Sequence, residues 1–302
     1  MPIDVTRVFH LNVNCTDLDR SLHFYRDLLG LTQGAHTVSP EQDGTAFGLD
    51  RVAWDAWIML DERGYDGAVV DLLEWQVPRP TSPAHPGANQ LGFARLGFTT
   101  PDLGATHARM GQDPLASPTD PHAVTMDGAP TMWTFVVADP DGTQVELLGG
   151  DATRFSFVVV NCSDLERSIA FYSDVLGFHS RVRFAPGPRD ESALGLGPGA
   201  EWEMAYLDDP RGTGAFAVDL VQWHTPASTG EPSRDARRLG PFRLALTTPD
   251  VDAAHAGLVE RGVRCWSPPA RLDMGPDLPP LRALLFDDPD GAVLELIETP
   301  SP

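Results

Sequence analysis

The chain contains no lysine: all 22 of its basic residues are arginine, set against 43 acids. A Schiff-base aldolase, a pyridoxal-phosphate enzyme and a P-loop nucleotide hydrolase each depend on a lysine amine, so those classes are excluded. Positive charge as a whole is short, and the formal net charge is -21. Such a field repels phosphate backbones and argues against nucleic acid as a partner. Cysteine is scarce: there are three, with no CxxC pair, so neither a zinc ribbon nor a thioredoxin-like motif is present. An odd, sparse set suits a reducing compartment. Cys15 and Cys162 read as small, partly buried strand-end residues rather than reactive thiols. No apolar run approaches the roughly 20 residues of a membrane span. The opening MPIDVTRVFH carries no apolar signal-peptide core. The expectation is a soluble, cytoplasmic protein with no membrane partner. Neither a Gly-x-Ser-x-Gly elbow nor a dinucleotide fingerprint stands in a suitable context.

What the chain has is repetition. HLNVNCTDLDRSLHFYRDLLGL, from His10, returns as FVVVNCSDLERSIAFYSDVLGF, from Phe157. Asp17 matches Asp164, Gly30 matches Gly177, Trp75 matches Trp223, and DPDG at 139–142 matches DPDG at 288–291, at offsets of 147 to 149 residues. Each half divides again. NCTDL (14–18) is echoed by TTPDL (99–103), and NCSDL (161–165) by TTPDV (247–251). Each phrase follows a short apolar stretch and precedes a helical pattern. Leu18, Leu22, Tyr25 and Leu29 form an apolar stripe at helical spacing. Thr16 with Asp19, and Ser163 with Glu166, resemble capping boxes. Gly30 and Gly177 stand where a helix needs a left-handed residue to end. Paired apolar segments then flank the turns DERGYDG and DPDG and read as hairpins. The unit is strand, helix, then three strands, four times over. Residues 5–77 and 91–150 form a first half within 1–150; 154–225 and 240–299 form a second within 151–302. Segments 78–90 and 225–241 join the units.

Four tandem βαβββ units, with DLxRSxxFYxDxLG after the opening strand and DPDGxxxEL near the end of each half, resemble the vicinal oxygen chelate superfamily. That group takes in glyoxalase I, bleomycin and fosfomycin resistance proteins, extradiol dioxygenases and methylmalonyl-CoA epimerase. The resemblance covers nearly the whole chain and implies an α+β fold: two tandem domains whose curved mixed sheets surround cup-shaped sites. It does not imply one activity, because the fold carries many.

In that family, ligands to a divalent metal come from the opening and last strands of each unit. Place by place, the resemblance puts His10, Arg95, Phe157 and Arg243 on the opening strands, and Asp71, Glu146, Asp219 and Glu295 on the last strands. A cup built within the first half would hold His10, Asp71, Arg95 and Glu146. If units exchange between halves, the sets become His10, Asp71, Arg243 and Glu295, with Phe157, Asp219, Arg95 and Glu146. Every arrangement sets one arginine among two acids. A guanidinium cannot ligate a cation, but it can bridge carboxylates and supply the positive charge in the metal's stead. No metal or other cofactor is therefore expected. Were a metal bound, His10 would hold it with Asp71 and either Glu146 or Glu295.

His10, Glu146, Asp71 and Arg95 are the expected catalytic group, with His10 moving a proton. Trp133, Trp54, Phe157, Asp219, Arg243 and Glu295 are the expected substrate contacts. Each has a plainer reading beside it: His10 as a satisfied strand histidine, the acids as ion-pair partners of Arg95 and Arg243. His107 and His255 read as solvent-face residues, and His224 as a residue that could reach a cup mouth. The leading expectation is a small-molecule enzyme running metal-free isomerisation, cyclisation or elimination, of lyase or isomerase type. The alternatives are a protein that sequesters a drug or metabolite, and a metal-dependent lyase or dioxygenase. The partner is a small molecule, and a fused pair of halves is compatible with a monomer or a homodimer.

Overall fold

The computed structural model describes residues 2–80, 87–124 and 131–299. Of the joining segment 78–90, residues 81–86 lie outside the described residues. Four strand–helix–strand units are present, and each opening strand leads straight into a helix.

The helices start one residue later than the capping-box reading places them. Asp17, Asp102, Asp164 and Asp250 are the caps, each extended and each accepting from the backbone N–H three residues on. A carboxylate satisfies an orphan N–H at a helix start and suits its positive end. Thr16 and Ser163 have another task. Thr16 donates from Oγ1 and its backbone N–H to Asp141, at 2.6 and 2.8 Å. Ser163 does the same to Asp290, at 2.6 and 2.9 Å. In the same turns Asp139 receives the Tyr25 hydroxyl at 3.1 Å and Asp288 the Tyr172 hydroxyl at 3.3 Å. The two signature phrases are thus one structural device: the DPDG turn of one unit fastens the helix of its neighbour in the same half. Gly30 and Gly177 end their helices at φ +94° and +78°, a conformation that costs a residue with a Cβ.

The strands follow a different rule. Among the described residues there are two nine-stranded sheets, and each takes one unit from each half. Arg7–Cys15 pairs antiparallel with Gly240–Thr248, and Arg154–Cys162 pairs antiparallel with Gly92–Thr100. Flanking them run the last strands of each unit, parallel to their own opening strands. Units of one half share a helix layer; units of opposite halves share a sheet. The pairing closes what would otherwise be a bare strand edge on every opening strand.

Alternation along these strands separates two environments. Leu11, Val13 and Cys15 join Val158, Val160 and Cys162, with the helices, in one large core between the sheets. Burial pushes the Cys162 thiol up to about 12 and raises that of Cys15 as well, so both are inert. The opposite faces curve into two cups. Each is braced by one buried pair: the Trp75 indole donates to Asn14 Oδ1 at 3.0 Å, and the Trp223 indole to Asn161 Oδ1 at 2.9 Å.

Candidate functional site

The first cup is formed by the first and fourth units, so its floor joins residues from both ends of the chain. His10 and Asn12 project from the opening strand, and Asp71 from the adjacent parallel strand. Arg243 sits directly opposite Asn12, and Glu295 reaches in from the strand beyond. All four charged or titratable groups are at most 5 % exposed. Arg243 holds the floor together: its Nε donates to Glu295 Oε2 at 2.8 Å, and its Nη2 lies 3.5 Å from Asp71 Oδ2. Asn12 Nδ2 donates to the same Asp71 oxygen at 3.2 Å. Burial alone would raise the Glu295 carboxyl, but Arg243, with His10 beside it, outweighs burial and holds it down at about 2.

His10 stands apart from this network. Its Nε2 is 3.4 Å from Glu295 Oε2 and 3.8 Å from Asp71 Oδ2, beyond ordinary hydrogen-bond length. Neither ring nitrogen has a hydrogen-bond partner, and neither has Nη1 of Arg243. Buried polar atoms without partners are uncommon in folded proteins. His10 and Arg243 both line one cavity of about 210 Å³. Above the charged floor its walls are apolar: Phe47, Trp54, Ile58, Leu73, Leu272 and Leu281. Tyr65 and Pro279, both exposed, mark the open side. Part of the roof is the segment after Leu272, which is tied to the first unit: Gln42 exchanges two hydrogen bonds with the backbone of Asp273, at 2.8 and 2.9 Å.

The second cup combines the second and third units. Arg95 donates to Glu146 Oε2 at 2.7 Å. Asp219 faces them with Oδ1 unpartnered, and burial pushes its carboxyl up to about 8; Arg95 opposes the rise and Glu146 adds to it. Phe157 replaces the histidine, and its ring lies flat over Gly97: a Cβ there would fall 2.1 Å from it. The cavity left is about 60 Å³, room for roughly two waters. A shallower groove outside Phe157 carries Arg63, Arg154 and Arg181, each already paired with an acid.

Of the two ways of combining units, the exchanged one is found. His10, Asp71, Arg243 and Glu295 meet; Arg95 and Glu146 are not beside His10 but in the other cup with Asp219 and Phe157. His10 and Glu146 stand on different sheets, so the expected alternative of a metal held by both does not match the pairing found. Trp133, expected as a substrate contact, lines neither cup. It lies on a strand of the second sheet and is 57 % exposed. Trp54 does line the first cup. His224 is engaged with Glu203, Nε2 to Oε1 at 3.1 Å, and His107 contacts the Thr119 carbonyl oxygen at 3.1 Å. Asn12, Phe47 and the segment after Leu272 escaped the sequence reading. Asn12 carries a usable signal, being two residues from His10 and so on the same strand face. The wall segment carries none, because it is irregular.

Among the described residues, no group of three or more His, Cys, Asp or Glu is arranged to hold a metal ion. No helix among them is long and apolar enough to cross a membrane.

The family model described as Glyoxalase/Bleomycin resistance protein/Dioxygenase superfamily matches twice, over residues 7–147 and 154–296. An uncharacterized Escherichia coli protein, YaeR, is 29% identical over 141 residues, covering 47% of this chain and 92% of its own. Glyoxalase I from Zea mays superposes with a TM-score of 0.67 at 19% identity, covering 97% of this chain and 92% of that one. A putative dioxygenase from Bacillus subtilis gives 0.64 at 12% identity, covering 99% and 87%. At such identities the structural likeness speaks for the fold alone.

Proposed function

Starting from a chain that belongs to the glyoxalase, bleomycin resistance protein and dioxygenase superfamily, we propose that its first cup is the active site of a small-molecule enzyme working by acid–base chemistry without a metal. One observation carries the reading: His10 is buried at the floor of an open cavity with neither ring nitrogen in a well-formed hydrogen bond, its nearest acid being Glu295 at 3.4 Å. A plain structural histidine at that depth would be expected to have a hydrogen-bond partner.

The place of a metal is taken by Arg243. A divalent cation bridging His10, Asp71 and Glu295 would lie against a guanidinium that already contacts both carboxylates. The residues as arranged do not suit such a cation, and Arg243 supplies the positive charge itself. In the proposed step, Nε2 of His10 takes a proton from a carbon next to a substrate carbonyl. Nη1 of Arg243 donates a hydrogen bond to the carbonyl oxygen as the electron pair moves onto it. The same imidazolium returns the proton at another carbon, so isomerisation needs no co-reactant; loss of a leaving group instead gives elimination. Asp71 and Glu295 hold Arg243 in place and stabilise the imidazolium.

A sequestering protein is the second reading, favoured by the apolar walls of the same cavity. The two are separated by product. His10→Gln, which keeps size and polarity, should bind substrate near normally and lose turnover by at least about a hundredfold, the usual scale of a general acid–base group. Unchanged turnover would sink the acid–base role. A reducing, cytoplasmic setting belongs to this reading and is supported by three free thiols.

A further inference from the structure

We infer that the first cup selects an uncharged, one-ring organic molecule carrying a single acceptor oxygen, and that it rejects the corresponding carboxylate. This deepens the proposed function and rests on the same cavity. Three features of the site lead to it.

The first is size. A dry cavity of about 150 Å³ accepts benzene, and this one offers about 210 Å³. That admits one ring with a short substituent. The second is the distribution of polarity. The buried floor atoms without a hydrogen-bond partner are the His10 ring nitrogens, Nη1 of Arg243 and Oδ1 of Asn12, and of these residues His10 and Arg243 line the cavity while Asn12 does not. Nη1 can only donate, so it calls for an acceptor atom, and the apolar walls call for the rest of the ligand to be hydrocarbon. Phe47 and Trp54 give that hydrocarbon aromatic faces to pack on. The third is charge. Asp71 and Glu295 face one guanidinium and one imidazole. Whether the imidazole is neutral or charged, the floor has no positive charge to spare. A buried carboxylate ligand would add an unpaired anion to a site at most 5 % exposed, which is costly.

The test is a matched set of three probes: acetophenone, with ring and carbonyl; ethylbenzene, nearly isosteric without oxygen; and benzoate, with the charge. Binding is read by calorimetry and by quenching of tryptophan fluorescence, since Trp54 lines the wall. Acetophenone should bind at least about tenfold tighter than ethylbenzene, the scale of one hydrogen bond from a charged donor, and benzoate should bind weakest. Leu281→Trp enlarges a half-buried wall residue into the cavity and should abolish acetophenone binding while the melting temperature holds. Benzoate binding as tightly as acetophenone, equal binding of acetophenone and ethylbenzene, no binding of any probe at millimolar concentration, or undiminished binding in Leu281→Trp would each overturn the inference. None of these results bears on His10 as the proton carrier, which stands or falls on turnover by His10→Gln.

Discussion

Asp219 and Glu295 hold the same place in their units, the last strand beside an opening strand, yet end in opposite electrostatic states. Both are buried. Glu295 receives Arg243 at 2.8 Å and its carboxyl is held at about 2. In the other cup Arg95 is spent on Glu146, and Asp219 is pushed up to about 8. In the first cup the second carboxylate, Asp71, has both Arg243 Nη2 at 3.5 Å and the Asn12 amide at 3.2 Å, whereas Asp219 stands beside Val159 with one oxygen unpartnered. The difference has a consequence for stability. A carboxyl whose folded pKa lies above its unfolded value favours the folded state fully at low pH and loses that contribution as pH rises through the folded value. Asp219 therefore withdraws stability between about pH 4 and 8. Asp139 and Asp288, raised by burial to about 6 and about 7, act in the same sense over the lower part of that window. Asp219→Asn removes the largest of the three. Its melting temperature should fall less than that of the wild type as pH rises from about 4 to 8, with the gap between the two curves at its full width above about pH 8. Parallel curves would show that Asp219 is not a proton-binding group in the folded chain.

At the level of elements, much of the fold is legible in the sequence. The four strand–helix units, the helix-ending glycines and the DPDG hairpins follow from local chemistry, and local chemistry is written in adjacent residues. The capping-box pattern points one position too early in the first and third helices because a hydroxyl residue and an aspartate stand side by side there. The hydroxyl was recruited by a turn more than 120 residues away in sequence, and no local pattern announces that. Pairing of strands was the larger gap. The two halves repeat at one offset whether units pair within a half or across halves, so spacing cannot choose between them. A clue does exist in the side chains at the joint. Phe157 needs a partner without a Cβ, and Gly97 lies directly opposite it; His10 tolerates one, and Ala245 lies opposite. Phenylalanine facing glycine and histidine facing alanine is a register signal, readable only once the pairing is suspected. The candidate site was half legible for the same reason. The set His10, Asp71, Arg243 and Glu295 is one of the arrangements the sequence leaves open, while the catalytic grouping of Arg95 and Glu146 with His10 is the part the strand pairing overturns.

For the whole molecule, exchange makes each cup the joint property of two repeats. Neither half can close its own sheets: the opening strand of the first unit would lose Gly240–Thr248, and that of the second unit would lose Arg154–Cys162. Residues 1–150 expressed alone should therefore be folded only as a dimer, two copies supplying each other with the missing strand. Light scattering after gel filtration reads this directly, and a folded monomer would contradict the cross-half pairing.

The substitution of a guanidinium for a metal is where sequence, geometry and function meet, and it is open to one direct measurement. Arg243→Ala would leave two buried acids unbalanced, a change that costs about 3–5 kcal/mol in comparable sites. Arg243→His is the better probe, because it sets a second imidazole beside His10, Asp71 and Glu295. Untagged wild type and Arg243→His would be purified side by side from metal-supplemented medium and analysed by elemental mass spectrometry. The expected result is no stoichiometric metal in the wild type and about one equivalent of a divalent metal in Arg243→His, as a set of nitrogen and oxygen donors with an open centre should hold. About one equivalent in the wild type, lost in His10→Ala, would contradict the arginine-for-metal account and return the cup to metal chemistry.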